Sequence, residues 1–320
     1  MIDFCVLGSG VAGSTIANLL SKKYSVHVFD KARGSGGRSS NKKFKKNLSF
    51  DHGVQYISPK SKKFIKFTQK LLKKKIFKTW DGNHLDFTFK KKNNNIKYIG
   101  IKGNNAISKY QLKNIKQSFA SQIIKIERKK HFWVVTVKNN SKHKFKSLVL
   151  TCPFPQLKKL AKNYLDKRIS NLKVQMQPNI TVMVAFKDQR ELPISSIKFN
   201  DKILAWAANE NSKKRFKSNF NLWTLQASLK WSKKTINKYK NDKKIMNQLI
   251  SRFLKLSGFE KNKLMHKNIH GWKYSYNYEK TSLMSNWNKK YQLGVCGDWF
   301  NGPKVENAWL SANDLAKKIK

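Results

Sequence analysis

The sequence predicts an α/β fold in which a parallel sheet flanked by helices is joined to a second domain built on an antiparallel sheet. Three observations carry this. Residues 4–30 read as strand, glycine turn, helix and strand, ending on an acid. Residues 180–227 hold three strand-like runs, ITVMVAFK, IKFNDKILAWAA and LWTLQA, which favour an antiparallel sheet. A last apolar strand at 293–296 and a closing helix return the chain to the first domain.

The first element is a buried strand at 4–7. It turns through Gly8-Ser9-Gly10-Val11-Ala12-Gly13 into an apolar helix reaching Leu20. A second strand, 26–29, ends on Asp30. That order is a Rossmann-type dinucleotide-binding unit. Gly8 permits the tight turn, Gly10 lets the backbone approach a pyrophosphate, and Gly13 lets helix and strand pack closely. The helix N-terminus offers free N–H groups and a positive dipole end to phosphates. Asp30 is placed to accept from adenosine ribose hydroxyls. The unit alone does not choose between NAD and FAD. The next stretch, Lys31 to Arg38, brings Gly34, Gly36 and Gly37 close to the same turn. Arg38 adds a planar fork of donors suited to phosphate or a carbonyl-rich ring.

Further along, residues 61–75 place Phe64, Phe67, Leu71 and Leu72 at helical spacing with lysines outside. Residues 84–101 alternate around a polar tract at 90–95 and predict a hairpin. Residues 105–120 predict a helix. Strands are expected at 123–126, 132–137 and 147–150, with turns at 128–130 and 139–143, then a helix at 156–164. After the antiparallel strands come an amphipathic helix at 241–256 ended by Gly258, a strand at 269–274, the strand at 293–296 and a helix at 304–319. The first domain is therefore discontinuous, comprising 1–75, 102–165 and 288–320. The second takes 76–101 and 166–287.

Near the C-terminus, the strand at 293–296 runs into Gly297-Asp298. Open α/β sheets bind ligands at the carboxyl ends of their strands, which is where Asp298 falls. Gly302-Pro303 open a helix whose first N–H groups point back at that crevice and stabilise negative charge.

The net charge is +51, and of 68 basic residues 7 are Arg and 61 Lys. Nucleic-acid readers use arginine for bidentate contacts. Here lysine is spread in short runs, which suits solvated faces and a codon-biased genome rather than a dedicated polyanion surface. No specific nucleic-acid partner is expected. A basic nucleic-acid-binding protein on a Rossmann scaffold is the competing non-enzyme reading. Cys5, Cys152 and Cys296 show no CxxC or ligand-like spacing, so neither a metal site nor a disulfide framework is expected. Met1-Ile2-Asp3 lacks a basic n-region and no run is long enough to span a bilayer. A cytoplasmic protein is expected.

GSGVAG, Asp30, RGSGGR, DHGVQY (51–56) and GDWFNGPKVENA (297–308) occur in the order found in the FAD-dependent amine-oxidase superfamily. The chain resembles its renalase-like branch from end to end. Further marks of that branch are Ser58-Pro59-Lys60, the tract from Tyr98 to Ala106, Ala205-Trp206-Ala207-Ala208-Asn209, Trp223 to Ser228, and His270-Gly271-Trp272-Lys273-Tyr274, although Gly271 stands where the branch usually has a basic residue after the histidine. The resemblance implies a p-hydroxybenzoate hydroxylase-like, Rossmann-type FAD-binding domain with non-covalent FAD, because Cys296 lies inside a strand and not at a flavin-linking position. It implies Gly8, Gly10, Ala12 and Gly13 at the pyrophosphate, Asp30 at the ribose and Arg38 on the flavin side. Gln55 and Tyr56 would lie along the isoalloxazine, Ile124 at the adenine and Asp298 at the ribityl chain, with Val305, Glu306 and Asn307 at the pyrimidine edge. Trp206, His270, Trp272 and Trp299 are the candidates for the substrate wall and its chemistry. The implied activity is hydride transfer from a small organic molecule to flavin N5 with O2 as acceptor. An isomeric dihydronicotinamide dinucleotide is one substrate the resemblance suggests; an amine or a polyene is the alternative. The chain shows no Ser/His/Asp set or carboxylate pair, which suits hydride transfer, a step that depends on orientation.

Overall fold

The computed structural model describes residues 1–86, 88, 90 and 96–319. β1 (Ile2–Leu7) is buried from Phe4 onward. α1 (Val11–Leu20) lays Val11, Ile16 and Leu20 on the sheet. β2 (Val26–Phe29) is followed by the hairpin of β3 (Asn41–Lys43) and β4 (Ser49–Asp51). α2 (Lys62–Lys73) begins at Ser61, whose hydroxyl accepts from the Phe64 N–H, and buries Phe64, Thr68 and Leu71. Next come β5 (Phe77–Thr79), β6 (His84–Leu85), β7 (Tyr98–Gly100), α3 (Ala106–Gln111) and β8 (Lys116–Ser118). The meander β9 (Ile123–Arg128), β10 (Trp133–Val137) and β11 (Lys142–Leu150) leads to α4 (Phe154–Ala161) and α5 (Lys167–Ser170). β12 (Gln177–Lys187), β13 (Ser196–Lys198), β14 (Leu204–Asn209) and β15 (Phe220–Ala227) precede α6 (Leu229–Thr235) and α7 (Lys243–Ser257). α7 is capped by Asp242 and stopped by Gly258 at φ +68°, a left-handed turn that suits glycine. β16 (Leu264–Tyr276), β17 (Ser285–Asn288), β18 (Leu293–Cys296) and α8 (Val305–Lys318) complete the chain.

The first sheet runs β17-β18-β11-β1-β2-β8, with β10 and β9 added beside β11. β1 is parallel to β2 and β11, and β18 is parallel to β11. Helices cover both faces, as a parallel sheet requires. On one, Ile16, Phe64, Ala312 and Leu315 pack together; on the other, Leu148, Phe154, Leu157 and Trp299 do. The second sheet runs β16-β12-β15-β14-β13-β6. It is antiparallel except at the β13–β6 step. Val182, Val184 and Trp223 face Leu249 and Phe253 of α7. The opposite face meets the first domain, where Met183, Ala185 and Leu222 pack on Leu48 and Phe50 of the β3–β4 hairpin. That hairpin therefore sets where the next segment, residues 51–56, enters between the two sheets.

Three expected elements differ. The hairpin over 84–101 does not form as expected: β7 pairs with β5, and β6 pairs with β13. The Trp80 N–H donates to Lys97 O at 2.7 Å, so the run ending at Trp80 is the partner of the run beginning at Tyr98. The tract at 91–95 lies outside the described residues. The helix expected over 105–120 stops at Gln111, and Lys116–Ser118 becomes β8, because the free edge of β2 offers ladder hydrogen bonds that outweigh local propensity. The run 197–208 is two strands: Asp201 turns the chain by accepting from the Ile203 and Leu204 N–H groups.

Candidate functional site

At the carboxyl end of β1 the glycine turn is built by contact. A Cβ at Gly13 would lie 1.8 Å from Gly8 O, and one at Gly8 2.5 Å from Thr151 Oγ1, with φ there +103°. These two glycines are dictated by the chain's own packing. Gly10 is different. Its φ is −68°, and a Cβ there would meet nothing closer than Gly37 Cα at 3.8 Å. Gly10 is also the N-cap of α1, offers no capping side chain, and no acid stands in the first turn. The positive end of the helix is left to whatever lies beside Gly10. Ala12 is buried in that first turn. The fit to a pyrophosphate is good: an uncapped helix start and a glycine that packing does not require.

Asp30 closes the turn from the other side. Its Oδ2 accepts from the Ser9 N–H at 2.7 Å and the Ser9 hydroxyl at 2.6 Å, and its Oδ1 from the Ala32 N–H at 2.8 Å. The second glycine loop lies against the first, with Gly36 N–H donating to Ser9 O at 3.0 Å. Arg38 leaves that loop and forks onto Asp298: Nη1 to Oδ2 at 2.9 Å, Nη2 to Oδ1 at 2.5 Å. Nη1 also donates to Ser275 O on β16 at 2.8 Å. Asp298, 7% exposed, is separated from the end of β18 by Gly297 alone. The residues expected at the two halves of an extended cofactor thus stand along one line of strand ends.

The segment after β4 is fixed by charges that the sequence did not mark. Asp51 and Glu210 are fully buried, as is Lys213. Lys213 Nζ donates to Asp51 Oδ2 at 2.9 Å, Glu210 Oε2 at 2.9 Å and Gln55 Oε1 at 3.0 Å. Arg215 Nη1 donates to Asp51 Oδ2 at 2.5 Å, and the Thr224 hydroxyl to Glu210 Oε1 at 2.7 Å. Two cations face two carboxylates, so the network is neutral and every carboxylate is paired. Burial pushes the Asp51 carboxyl up, but Lys213 and Arg215 outweigh it and hold it well below the usual carboxylate range. Burial raises Glu210, with Lys213 opposing. Gln55 also donates through Nε2 to Asp51 O, so its side chain is turned into the network and its backbone is what remains for the crevice. Tyr56 is 38% exposed and its ring lies 6.2 Å from that of Trp80. Trp206 is half-buried against the cluster of Trp80, Ile99 and Ala208. Among 61 lysines nothing distinguishes Lys213; the only local signal is its spacing of three from Glu210.

On the other flank His52 stacks on Trp272 at 5.2 Å, and His270 meets His52 edge-on at 5.0 Å. Trp272 Nε1 donates to His52 O at 2.9 Å, and Gln226 Nε2 to Gly53 O at 3.0 Å. His270 and Trp272, expected on the substrate wall, are thus brought to the DHG segment beside Arg38, whose carbonyl accepts from the Val54 N–H at 2.9 Å. Burial first, then neighbouring His270 and Lys42, lowers His52 to about 3. Burial, Lys42 and Lys240 lower His270 to about 4.

The remaining expected residues divide. Trp299 is a correction: it is fully buried, stacked on Phe300 at 3.9 Å and tilted on Phe154 at 5.0 Å, so it is core and not wall. The turn after Asp298 drives it under the sheet. The Glu306 carboxylate accepts from the Lys60 and Ser61 N–H groups at 2.9 and 2.6 Å and so ties α8 to the start of α2. Asn307 Nδ2 donates to Asn301 O and Gly302 O, shaping the turn before α8. Val305 begins α8 half-buried. Ile124 stands on β9, 47% exposed. Cys296 is buried inside β18 and Cys152 is pushed up to about 12 by burial, so neither is a ready nucleophile. Among the described residues no group of three His, Cys, Asp or Glu is placed to hold a metal, and no helix is long and apolar enough to cross a membrane. A surface cleft of about 750 Å³, lined by Tyr24, Trp287 and Lys318 among others, lies at the opposite, amino ends of the strands and holds none of these residues.

Two comparisons bear on this arrangement. Residues 6–71 match a family model described as an NAD(P)-binding Rossmann-like domain. The whole chain is similar to a solved structure from Exiguobacterium sp. 255-15 named a "putative protoporphyrinogen oxidase", with a TM-score of 0.74 over 99% of this chain and 98% of that one. Identity is 8%, so the likeness is one of fold. The chain has a mixed α/β fold with a Rossmann-like nucleotide-binding domain and a second sheet, the architecture expected from its sequence.

Proposed function

We propose that the protein is an FAD-dependent oxidoreductase of the amine-oxidase-like superfamily, with its renalase-like motifs giving the finer placement. The observation that carries this reading is the pairing of an uncapped α1 N-terminus with Gly10, a glycine that the chain's own packing leaves free. Arg38 and Asp298, at the end of β18 two strands from β1, extend the cradle beyond a mononucleotide. FAD held there would supply a two-electron acceptor, taking a hydride from an organic substrate at ring N5 and passing the electrons to O2 to give hydrogen peroxide.

The chain's own residues bind, orient and exclude water. Gly10 and the first N–H groups of α1 receive the pyrophosphate. Asp30 and Asp298 accept from ribose and ribityl hydroxyls. The backbone of residues 53–56, braced by Lys213 and Arg215, would offer a surface for the ring. Trp272 and Tyr56 narrow the approach. Lys213 has its three donors spent on Asp51, Gln55 and Glu210, so it positions and does not shuttle a proton.

Purified full-length protein tests this directly. Yellow protein with flavin absorbance, releasing FAD on denaturation, supports the reading. A colourless preparation that takes up no added FAD sinks it.

A further inference from the structure

Beside the Arg38–Asp298 pair, β16 presents Asn268, His270 and Trp272 at alternate positions, hence on one face. Opposite stand Lys42 of β3 and His52, directly after β4. Lys42 Nζ donates to Asn268 Oδ1 at 2.8 Å, reaching an amide and not a carboxylate. His52 is 7% exposed, lies 3.4 Å from Ser40 Oγ through Nε2, and has no partner at Nδ1. A buried polar atom left unpartnered calls for an explanation, and an absent ligand is one. The charges acting on the two imidazoles are Lys42 on both, His270 and Asp51 on His52, and Lys240 on His270. Asp51 is matched by Lys213 and Arg215. His266, further along β16, also feels Lys42. Among the described residues the slot therefore holds an ammonium and imidazole N–H donors with no carboxylate of its own to answer them.

We propose that this slot receives an oxyanion, a carboxylate or phosphate group carried by the molecule that the crevice oxidises. Its identity as a substrate subsite rests on the flavin reading; its affinity for an oxyanion does not. An ammonium and ring N–H groups lining the same slot can make charge-assisted hydrogen bonds to such a group. A cationic amine would meet Lys42 and find no counter-charge, so the same residues select against it. Both imidazoles are neutral in the free protein, and an arriving oxyanion offsets the repulsion from Lys42 and favours their protonation. Binding that protonates them takes up protons, so affinity rises as pH falls toward their free-protein values.

The test uses the full chain, with and without added FAD, and two probes: inorganic phosphate and succinate. Histidine ring NMR resonances are followed at pH 6 and pH 8, assigned through His270→Gln. The expected result is saturable shifts at His52 and His270. Lys42→Gln should raise the dissociation constant at least about tenfold, the scale of one charge-assisted contact. Lys289→Gln, on the far side of the first sheet, controls for general attraction to a basic surface and should change nothing. No saturable shift at His52 and His270, or shifts that ignore Lys42→Gln, overturns the proposal. If Lys42→Gln does not fold, loss of saturation in His270→Gln serves the same purpose. Protein that binds phosphate in the slot but never takes up FAD would leave the slot standing and remove the flavin reading; yellow protein with an indifferent slot would do the reverse.

Discussion

Arg38 and Asp298 stand 260 residues apart and meet in a two-point ion pair at the mouth of the crevice. The pair joins the second glycine loop to the end of β18, and Arg38 reaches on to Ser275 of β16. Removing Asp298 takes away an acceptor proposed for the cofactor and leaves Arg38 without its partner. Asp298→Ala should weaken FAD retention by about tenfold or more. Arg38 keeps contact with water, so the loss of folding stability should stay near 1 kcal/mol. Flavin absorbance after desalting, set beside urea denaturation, separates the two. Unchanged flavin content would count against placing Asp298 at the cofactor.

The buried network should behave in the opposite way. Lys213→Met leaves Asp51 and Glu210 facing each other with Arg215 as their remaining cation. Breaking a buried pair by deleting one partner costs about 3–5 kcal/mol, because a charge is left desolvated and unanswered. A large fall in the denaturation midpoint is expected. A change under about 1 kcal/mol would mean that the carboxylates find another partner or take a proton.

How much of this was legible in the sequence follows from which interactions are local. The strand–turn–helix–strand unit is contiguous, and its glycines and Asp30 sit where spacing alone puts them. Gly297-Asp298 was readable because a strand end is a local event. The Lys213 network joins 51 to 210–215, and its lysine looks like 60 others until the fold buries it. Trp299 was a candidate for the substrate wall; only the turn that follows Asp298 decides which side of the sheet a tryptophan enters. β8 failed as a strand in the sequence because its order comes from the open edge of β2 and not from its own residues.

His52 gives stability a pH dependence with a definite sign. Its folded value is about 3, against about 6.5 for an exposed imidazole. Between those values the unfolded chain binds the proton and the folded chain does not, so stability falls as pH falls. The slope is at most about 1.4 kcal/mol per pH unit for one group. His27, lowered by burial to about 4, adds in the same direction. Denaturation midpoints between pH 6.5 and 4.5 should decline for the native chain and decline less for His52→Gln. Equal slopes would show that His52 is protonated in the folded state.

Gly10 and Gly13 separate ligand from scaffold within one turn. At Gly13 a Cβ would press into Gly8 O at 1.8 Å, so Gly13→Ala must push α1 away from β1; a loss of several kcal/mol is expected, on the scale of core overpacking of about 1–3 kcal/mol or more. At Gly10 the backbone is already in a region any residue adopts, and the added methyl meets only ordinary van der Waals contacts, Gly37 Cα at 3.8 Å and Gly36 O at 3.9 Å. Gly10→Ala should therefore fold with its melting temperature nearly unchanged. What it removes is the close approach of a phosphate to the start of α1, so FAD uptake should fall sharply. Thermal melts with flavin titration read both outcomes at once. A Gly10→Ala protein that melts normally and binds FAD as tightly as before would mean that the cofactor does not lie against this turn.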